Sequence, residues 1–231
     1  MRRVVSMAKT DALLQARYGF YFLYVIVSVL YVAVILAIPR PYRDIAREIA
    51  VFSDPAALGL FFMGAILLFE RGERVHPSLS VSPASAGEYC FAKCVSLSAI
   101  SAIAGVAISL ASGGRVSVWT ILALLFGSSL FSLAGLAIGA RARTVNSFMI
   151  LTVPMELAMF LPAGLWYFGH GPDWMFAHPG VAVLNLLRAS PRAPVASLFS
   201  LAAWCAAFAL IAIPSVDRML RSGDVGAGRE A

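Results

Sequence analysis

The amino-acid sequence predicts an all-α, polytopic membrane protein with six transmembrane helices. Of its 231 residues, 60% are hydrophobic and only 13% are charged, whereas a soluble domain is about half apolar and a quarter charged. A helix that crosses the hydrocarbon core needs about 20 mostly apolar residues, so six such helices fill about half of the chain. The remaining segments are too short for a soluble domain, and we therefore expect a single transmembrane domain over residues 1–231.

The six spans follow from apolar runs separated by polar segments or by segments rich in Gly and Pro. They are expected at about residues 20–38, 55–69, 91–110, 118–140, 145–168 and 195–213. Ser53, Asp54 and Pro55 form a helix-start pattern before the second span, because an oxygen-bearing cap and a first-turn proline suit a helix N-terminus. Pro214 is expected to end the sixth span.

Two further segments complete the predicted architecture. Residues 1–18 place Val4, Met7, Leu14 and Tyr18 on one helical face, which predicts an amphipathic N-terminal helix at the inner membrane interface. Residues 181–187, between the fifth and sixth spans, are apolar but too short to cross, so we expect a re-entrant or interfacial segment.

The distribution of basic residues predicts the orientation in the membrane. When the N-terminus is placed inside, the inner segments carry about twice as many Lys and Arg residues as the outer segments. The positive-inside rule therefore predicts that both termini are cytoplasmic. This organisation is typical of a multi-pass protein of the inner, or cytoplasmic, membrane of a bacterium.

A polar island at residues 70–93 separates the second and third spans. It carries three acids and three bases, namely Glu70, Arg71, Glu73, Arg74, Glu88 and Lys93. Because hydrocarbon offers no partner for so many charges, we expect the island to lie in water at the cytoplasmic face of the membrane. It is either an ordinary solvated loop or a docking surface through which another protein drives this one.

The sequence offers few groups for catalysis or nucleotide binding. It has no G-x-x-x-x-G-K-[ST] pattern, and neither Lys9 nor Lys93 follows a glycine, so we expect no phosphate-binding loop and no cofactor. All three histidines lie outside the predicted spans, so no intramembrane protease or metal site is predicted. The net charge of +6 is scattered among loops, which favours anchoring beside anionic lipids over nucleic-acid binding.

Glu156 is the one acidic residue predicted deep within a span. A carboxylate at the bilayer centre costs about 2.5–3.5 kcal/mol, so Glu156 is expected to face a cavity or a partner instead of lipid. Met149, Thr152 and Met159 share its helical face. We expect these four residues to line a translocation pathway, in which adaptable methionines beside one acid would tolerate cationic cargo. The alternative is a protonated, hydrogen-bonded structural glutamate.

Small residues recur at four-residue spacing in the third and fourth spans. The fourth span has Ser128 and Ser132, followed by Gly135 and Gly139. Such faces let helices approach closely in lipid, and we interpret them as packing surfaces within one bundle more readily than as a dimer interface.

The polar island resembles a pattern found in ABC-2 type permeases, the membrane subunits of ABC transporters. In that family the loop after the second span reads roughly E-R…L-x-x-[TS]-P-x-S-x-x-E-[YLI]-x-x-x-K. The residues that match it in order are Glu70, Arg71, Leu79, Ser82, Pro83, Ser85, Glu88, Tyr89 and Lys93. The N-terminal helix and the six spans also resemble this family, in particular its permeases for fluoroquinolone export and the related daunorubicin-type drug exporters.

The resemblance implies a transport subunit without its own ATP site. Two permease subunits, identical or different, would form the pathway for a hydrophobic or amphipathic small molecule, with two ATP-binding cassette ATPase subunits docked beneath. It implies that the ATPase is contacted by Glu70, Arg71, Glu73 and Glu88, and that Pro83 and Gly87 shape a short coupling helix. An ATP-independent secondary transporter and an intramembrane enzyme are the other functions that remain open.

Overall fold

The computed structural model describes residues 2–72, 85–142 and 144–227. In these ranges the chain forms helices and no strands, which confirms the predicted all-α class. The helices, in chain order, are α1 (Arg2–Arg17), α2 (Phe20–Ala37), α3 (Arg43–Ala57), α4 (Met63–Gly72), α5 (Ala86–Ala111), α6 (Val118–Gly139), α7 (Val145–Tyr167), α8 (Pro179–Leu187) and α9 (Pro194–Ala227). A π-helical turn, Leu58–Phe62, joins α3 to α4, and 3₁₀ turns lie at Arg40–Tyr42 and Asp173–Ala177.

Five helices in the described ranges are long and apolar enough to cross a membrane, namely α2, α5, α6, α7 and the part of α9 from Pro194 to Arg221. The sixth membrane-capable segment is shorter, Gly59–Glu70. It belongs to the continuous path through α3, the π-turn and α4.

The helix start predicted from Ser53, Asp54 and Pro55, ahead of the second span at 55–69, is wrong. The helix already begins at Arg43 and continues past Pro55, so Ser53 lies inside α3 and caps nothing. Its hydroxyl donates to the carbonyl of Ala50 at 2.9 Å and lies 3.2 Å from the hydroxyl of Tyr31. Phe52 before this point and Leu60 after it are both buried. Because the buried face continues on both sides of Pro55, packing maintains the helix where the local pattern predicts a beginning.

The sequence analysis predicted that Pro214 ends the last helix, and this prediction is wrong. α9 runs through it to Ala227. Ala212, Val216 and Met219 are spaced four and three residues apart and are all buried in one apolar cluster. The hydroxyl of Ser215 donates to the carbonyl of Ile211 at 2.7 Å. The stabilisation from this buried stripe offsets the backbone hydrogen bond that the proline removes.

α6 lies at the centre of the bundle and packs against α5, α8, α9 and the π-turn. Its small-residue face is used within the subunit, in agreement with the interpretation drawn from the sequence. A Cβ on Gly135 would lie 2.6 Å from the carbonyl oxygen of Leu60, and one on Gly59 would lie 3.2 Å from the carbonyl oxygen of Ser128. By contrast, α2, α7 and α9 leave most of their apolar surface uncovered.

The short apolar segment between the fifth and sixth spans is the helix α8. All nine of its residues are buried, so it is enclosed by the other helices. Its first turn approaches the backbone of α7 closely, because a Cβ on Gly180 would collide with the carbonyl oxygen of Met159. Only glycine fits at this crossing.

α1 is separated from α2 by Gly19, whose φ of 76° lies in the left-handed region. It packs along α5. The face of α1 that meets α5 includes Asp11 and Gln15, both buried, beside the half-buried Met7 and Leu14. The contact surface of this amphipathic helix is therefore partly polar, which the sequence analysis had not predicted.

Candidate functional site

Three helices meet at one end of the bundle, which we call the proximal end: α1, the last turn of α4 and the first turns of α5. Lys93 of α5 lies at the centre of this junction. Its ammonium is 2.6 Å from Oδ1 of Asp11 and 2.6 Å from Oε1 of Glu70. The three side chains are between 3% and 6% exposed. One buried cation therefore ties together helices from three parts of the chain.

Both carboxylates receive further hydrogen bonds. Oδ2 of Asp11 accepts from the hydroxyl of Ser96 at 2.6 Å and from the amide of Gln15 at 2.7 Å. Oε2 of Glu70 accepts from the hydroxyl of Tyr89 at 2.5 Å. We call these six residues the Lys93 cluster: Asp11, Gln15, Glu70, Tyr89, Lys93 and Ser96. Burying charged groups costs several kcal/mol each unless partners compensate for the lost water, and here each carboxylate oxygen has at least one donor.

The Lys93 cluster borders a cavity of about 240 Å³ between α1 and α5. Met7 and Leu14 of α1 and Ala92 of α5 supply its apolar walls. The cluster contains two carboxylates and one ammonium, so it carries one excess negative charge when all three groups are ionised. The cavity therefore lies directly beside the ion pairs, between α1 and α5.

The polar island is not uniformly solvated. Glu70 and Lys93, which the sequence analysis placed in water, are both buried. The reason is Asp11, which lies more than eighty positions before Lys93 and whose side chain supplies the second carboxylate. Both ends of the polar island, Glu70 and Lys93, are therefore buried within the subunit. Glu73 and Pro83 lie outside the described residues, as does the side chain of Arg71.

Glu88 takes part in the start of α5. Its carboxylate accepts from the backbone amide of Ser85 at 3.0 Å, and the hydroxyl of Ser85 accepts from the backbone amide of Glu88 at 3.2 Å. This reciprocal capping box fixes the point at which α5 begins, five residues earlier than the predicted span. Gly87 lies in the same turn. A Cβ there would be 3.9 Å from the hydroxyl of Ser85 and 4.0 Å from Cδ1 of Ile213, so the subunit itself has room for a larger residue.

Four members of the Lys93 cluster were missed as functional candidates: Asp11, Gln15, Tyr89 and Ser96. A signal was present in α1, because Asp11 lies four residues after Met7 and three before Leu14. An acid on the apolar face of an amphipathic helix needs a partner when that face is packed. In α5, Tyr89, Lys93 and Ser96 follow the four- and three-residue spacing that puts side chains on one face.

The predicted pathway face of α7 is divided between two environments. Thr152 and Met159 are buried against the bundle, whereas Met149 is 51% exposed. Glu156 is half-buried at the boundary between them. Within the part of the chain that the structure describes, its carboxylate makes no hydrogen bond or ion pair. Glu156 therefore lies at the edge of the uncovered surface of α7.

Comparison with known proteins identifies the family. The family model described as the fluoroquinolones export permease protein family matches residues 2–218. The chain belongs to this family. Two curated Mycobacterium tuberculosis proteins, from strains CDC 1551 / Oshkosh and H37Rv, are each named fluoroquinolones export permease protein. Each is 28% identical to this chain over 175 residues, which cover 72% of the chain and 73% of the relative.

Family membership confirms the resemblance seen in the polar island and agrees with the membrane architecture. The protein is a multi-pass cell-membrane protein of an export permease family, and its relatives are named as transporters and not as enzymes. The match runs from the first residue of α1 to Arg218 in α9. The Lys93 cluster and the predicted pathway residues of α7 both lie within it.

Proposed function

We propose that this chain is the membrane-spanning subunit of an ABC exporter, which moves amphipathic drug-like molecules and is driven by a separate ATP-binding cassette ATPase. The observation that carries the proposal is the family match over residues 2–218, together with the names of the relatives, which specify fluoroquinolone export. Fluoroquinolone-type drugs are therefore the first cargo to test. Two permease subunits, either identical or different, would form the pathway.

The Lys93 cluster supports a coupling role for the proximal end. Residues 73–84 connect α4 to α5, and the cluster joins the last turn of α4, the first turns of α5 and α1. A partner that pushes on this connection would displace α4 and α5 together, and the ion pairs would carry the displacement into α1 and so to α2. In this mechanism Glu70 and Lys93 transmit the motion, whereas Arg71, Glu73 and Glu88 meet the ATPase.

The uncovered faces of α2 and α7 support a pathway formed between two subunits. Their exposed surfaces consist mainly of large apolar side chains, and Glu156 adds one carboxylate at the edge of the α7 surface. An amphipathic cation would find apolar contacts and one charge partner there. We place the N-terminus and the polar island in the cytoplasm, where the ATPase and its ATP are found.

The proposal is tested by purification and ATP turnover. The chain alone is expected to hydrolyse no ATP, because it has no phosphate-binding loop, and to capture a separate ATP-binding cassette ATPase in detergent. Glu73→Lys is expected to weaken that capture, since like charges at an interface cost several kcal/mol. Arg40→Glu, an exposed reversal at the other end of the bundle, is the control. ATP turnover by the isolated chain, or equal capture by both variants, would contradict the proposal.

Gly87→Ala tests whether the first turn of α5 contacts the ATPase, without a change in the stability of the subunit itself. The subunit has room for the added methyl group, so the variant is expected to fold and unfold like the parent. If Gly87 lies against the partner, the same methyl group is expected to reduce capture of the ATPase. Capture equal to that of the parent would show that the first turn of α5 does not form part of the docking surface.

A further inference from the structure

A second polar site lies at the distal end of the bundle, opposite the Lys93 cluster. The two sites are separated along α5 by about 24 Å, at 1.5 Å of rise per residue between Lys93 and Ser109. At the distal end the first turns of α3, the turn between α5 and α6, and the C-terminal end of α8 enclose a pocket of about 460 Å³. Three arginines from these three segments line it: Arg47, Arg115 and Arg188.

Arg47 is held in place by its surroundings. Its Nη2 is 2.8 Å from Oδ1 of Asp44, and its Nε donates to the hydroxyl of Ser112 at 2.9 Å. The guanidinium lies against Gly114 so closely that a Cβ on this glycine would be 2.6 Å from Nε. The Arg47 side chain is only 15% exposed. Its position over the α5–α6 turn is therefore fixed before any ligand arrives.

Arg188 is fixed at the opposite wall by aromatic rings. Its guanidinium lies 5.0 Å from the ring centre of Trp166 and 4.6 Å from that of Tyr167. Such cation–π contacts hold a guanidinium in place without neutralising its charge.

The nearby acid, Glu48, already has partners. Its carboxylate accepts from the hydroxyl of Tyr167 at 2.5 Å and from the backbone amide of Ala189. Burial raises the pKa of Glu48, whereas these hydrogen bonds and the nearby charge of Arg188 partly oppose that rise. The hydrogen bonds of Glu48 therefore link α3 to the end of α7 and to the chain just after α8.

The α6 N-terminus adds positive potential to the same pocket. Ser117 and Thr120 form a capping box there and both line the cavity. The exposed amides of a helix N-terminus attract negative groups, and α6 is a helix of 22 residues. Arg115, which is exposed, follows the two glycines of the turn. Arg47 and Arg188, which are held by contacts, and the exposed Arg115 thus line one pocket.

The charge of the pocket is not balanced by its own residues. Three guanidinium groups face two carboxylates, which leaves one positive charge, and both carboxylates are already engaged by Arg47, Tyr167 and Ala189. We propose that this pocket binds the phosphodiester of one anionic phospholipid, such as phosphatidylglycerol, from the leaflet at the distal end. Arginine matches phosphate oxygens in geometry as well as in charge.

Aromatic residues beside Arg188 favour a lipid over a soluble anion. Trp166 and Tyr167, which contact Arg188, form the last turn of α7; Phe168 follows this helix, and Trp174 lies in the next 3₁₀ turn with 75% of its surface exposed. Tryptophan and tyrosine concentrate at the level of lipid headgroups, which favours that depth for the end of α7 and the adjoining pocket. A zwitterionic lipid carries its own compensating cation, whereas an anionic lipid supplies the single negative charge that the pocket lacks.

The test uses the full chain, purified without added lipid and then exposed to phosphatidylglycerol or phosphatidylcholine. Binding is counted by native mass spectrometry. One phosphatidylglycerol is expected to bind more tightly than phosphatidylcholine. Arg115→Ala is expected to weaken it about fivefold to tenfold, the loss of one charge-assisted hydrogen bond at a partly open site. Arg40→Ala removes an exposed charge from the same end of the bundle but outside the pocket, and it is expected to bind like the parent.

Cross-linking locates the lipid even if a variant folds poorly. A photoactivatable phosphatidylglycerol is expected to label residues 109–120 or 187–190 of the parent protein. The proposal is overturned if labelling occurs only at the proximal end, if both lipids bind equally, or if Arg40→Ala and Arg115→Ala lose binding to the same degree. Binding of inorganic phosphate that phosphatidylglycerol does not displace would also overturn it, because the pocket would then be a site for soluble anions.

Discussion

Lys93 and Asp11 form a buried ion pair of 2.6 Å between helices that lie 82 residues apart in the sequence. The pair fixes the amphipathic helix α1 to the first turns of α5. Glu70 extends the contact to the last turn of α4, which leads into the polar island. The part of the chain that we expect to meet an ATPase is thus attached directly to the helix that precedes the first span.

Lys93→Met is expected to destabilise the subunit by about 3–5 kcal/mol, because it leaves two carboxylates buried without their cation. Lys9→Met is the matched control, since Lys9 is the other lysine of the chain and is exposed. The measurement is thermal unfolding in detergent. Adding Asp11→Asn and Glu70→Gln to Lys93→Met is expected to restore much of the loss. Equal unfolding temperatures for the two lysine variants would show that the cluster contributes little.

Gly180→Ala is expected to destabilise the contact between α7 and α8 by about 1–3 kcal/mol, the usual cost of overpacking. The added methyl group would strike the carbonyl oxygen of Met159, a backbone atom that cannot rotate away. Gly164→Ala in α7 is the control, because no atom lies within 4 Å of the position of its added Cβ. The same unfolding assay compares them. A Gly180 variant as stable as the Gly164 variant would mean that the two helices do not cross this closely.

His178 compensates for a proline in α7. Pro162 has no amide hydrogen, so the carbonyl of Ala158 loses its helical donor, and Nε2 of His178 lies 3.0 Å from that oxygen. Burial lowers the pKa of His178, which favours the neutral ring with its proton on Nε2. His178→Ala is expected to cost about 1 kcal/mol in the parent. In a Pro162→Ala background the helix supplies the donor, and the cost is expected to vanish; additive losses in this double-mutant cycle would contradict the assignment.

Glu156→Gln is expected to leave expression and assembly unchanged but to slow export of cationic drugs. Its carboxylate has no partner within the described part of the subunit, so its removal leaves no group of the subunit unsatisfied. A loss of about tenfold in the rate for cationic cargo corresponds to about 1.4 kcal/mol. Neutral cargo serves as the internal control, and Glu156→Leu tests whether polarity alone suffices. If both variants export cationic and neutral cargos like the parent, Glu156 does not line the pathway.

The lengths and positions of the apolar runs were sufficient to predict most of the membrane-capable helices. The predicted ranges 20–38, 118–140 and 145–168 agree within a residue with α2, α6 and α7. These helices are delimited by local signals, such as the serine cap at Ser117 and the left-handed Gly169 after α7. At Pro55 and Pro214 the helix continues because residues on both sides of the proline are buried, such as Phe52 and Leu60 or Ala212 and Val216. Tertiary packing there overrides the local signal, and the sequence alone predicts a boundary that does not exist.

The sequence alone does not predict that the six residues of the Lys93 cluster lie together in the folded subunit. Charge counting treats Glu70 and Lys93 as solvated because they lie in a polar stretch. Their burial depends on Asp11, which is distant in sequence and comes into contact only when α1 packs on α5. The distal pocket is similar, because Arg47, Arg115 and Arg188 come from three segments of the chain that lie close together only in the folded bundle.

ATP-driven drug uptake into inside-out membrane vesicles tests the central proposal most directly. Vesicles that contain this chain and its partner ATPase are expected to accumulate an amphipathic drug only when ATP is hydrolysed. Vesicles that contain the chain alone are expected to accumulate none, with or without a proton gradient. Uptake by the chain alone that follows the proton gradient and ignores ATP would contradict the account and identify an ATP-independent secondary transporter.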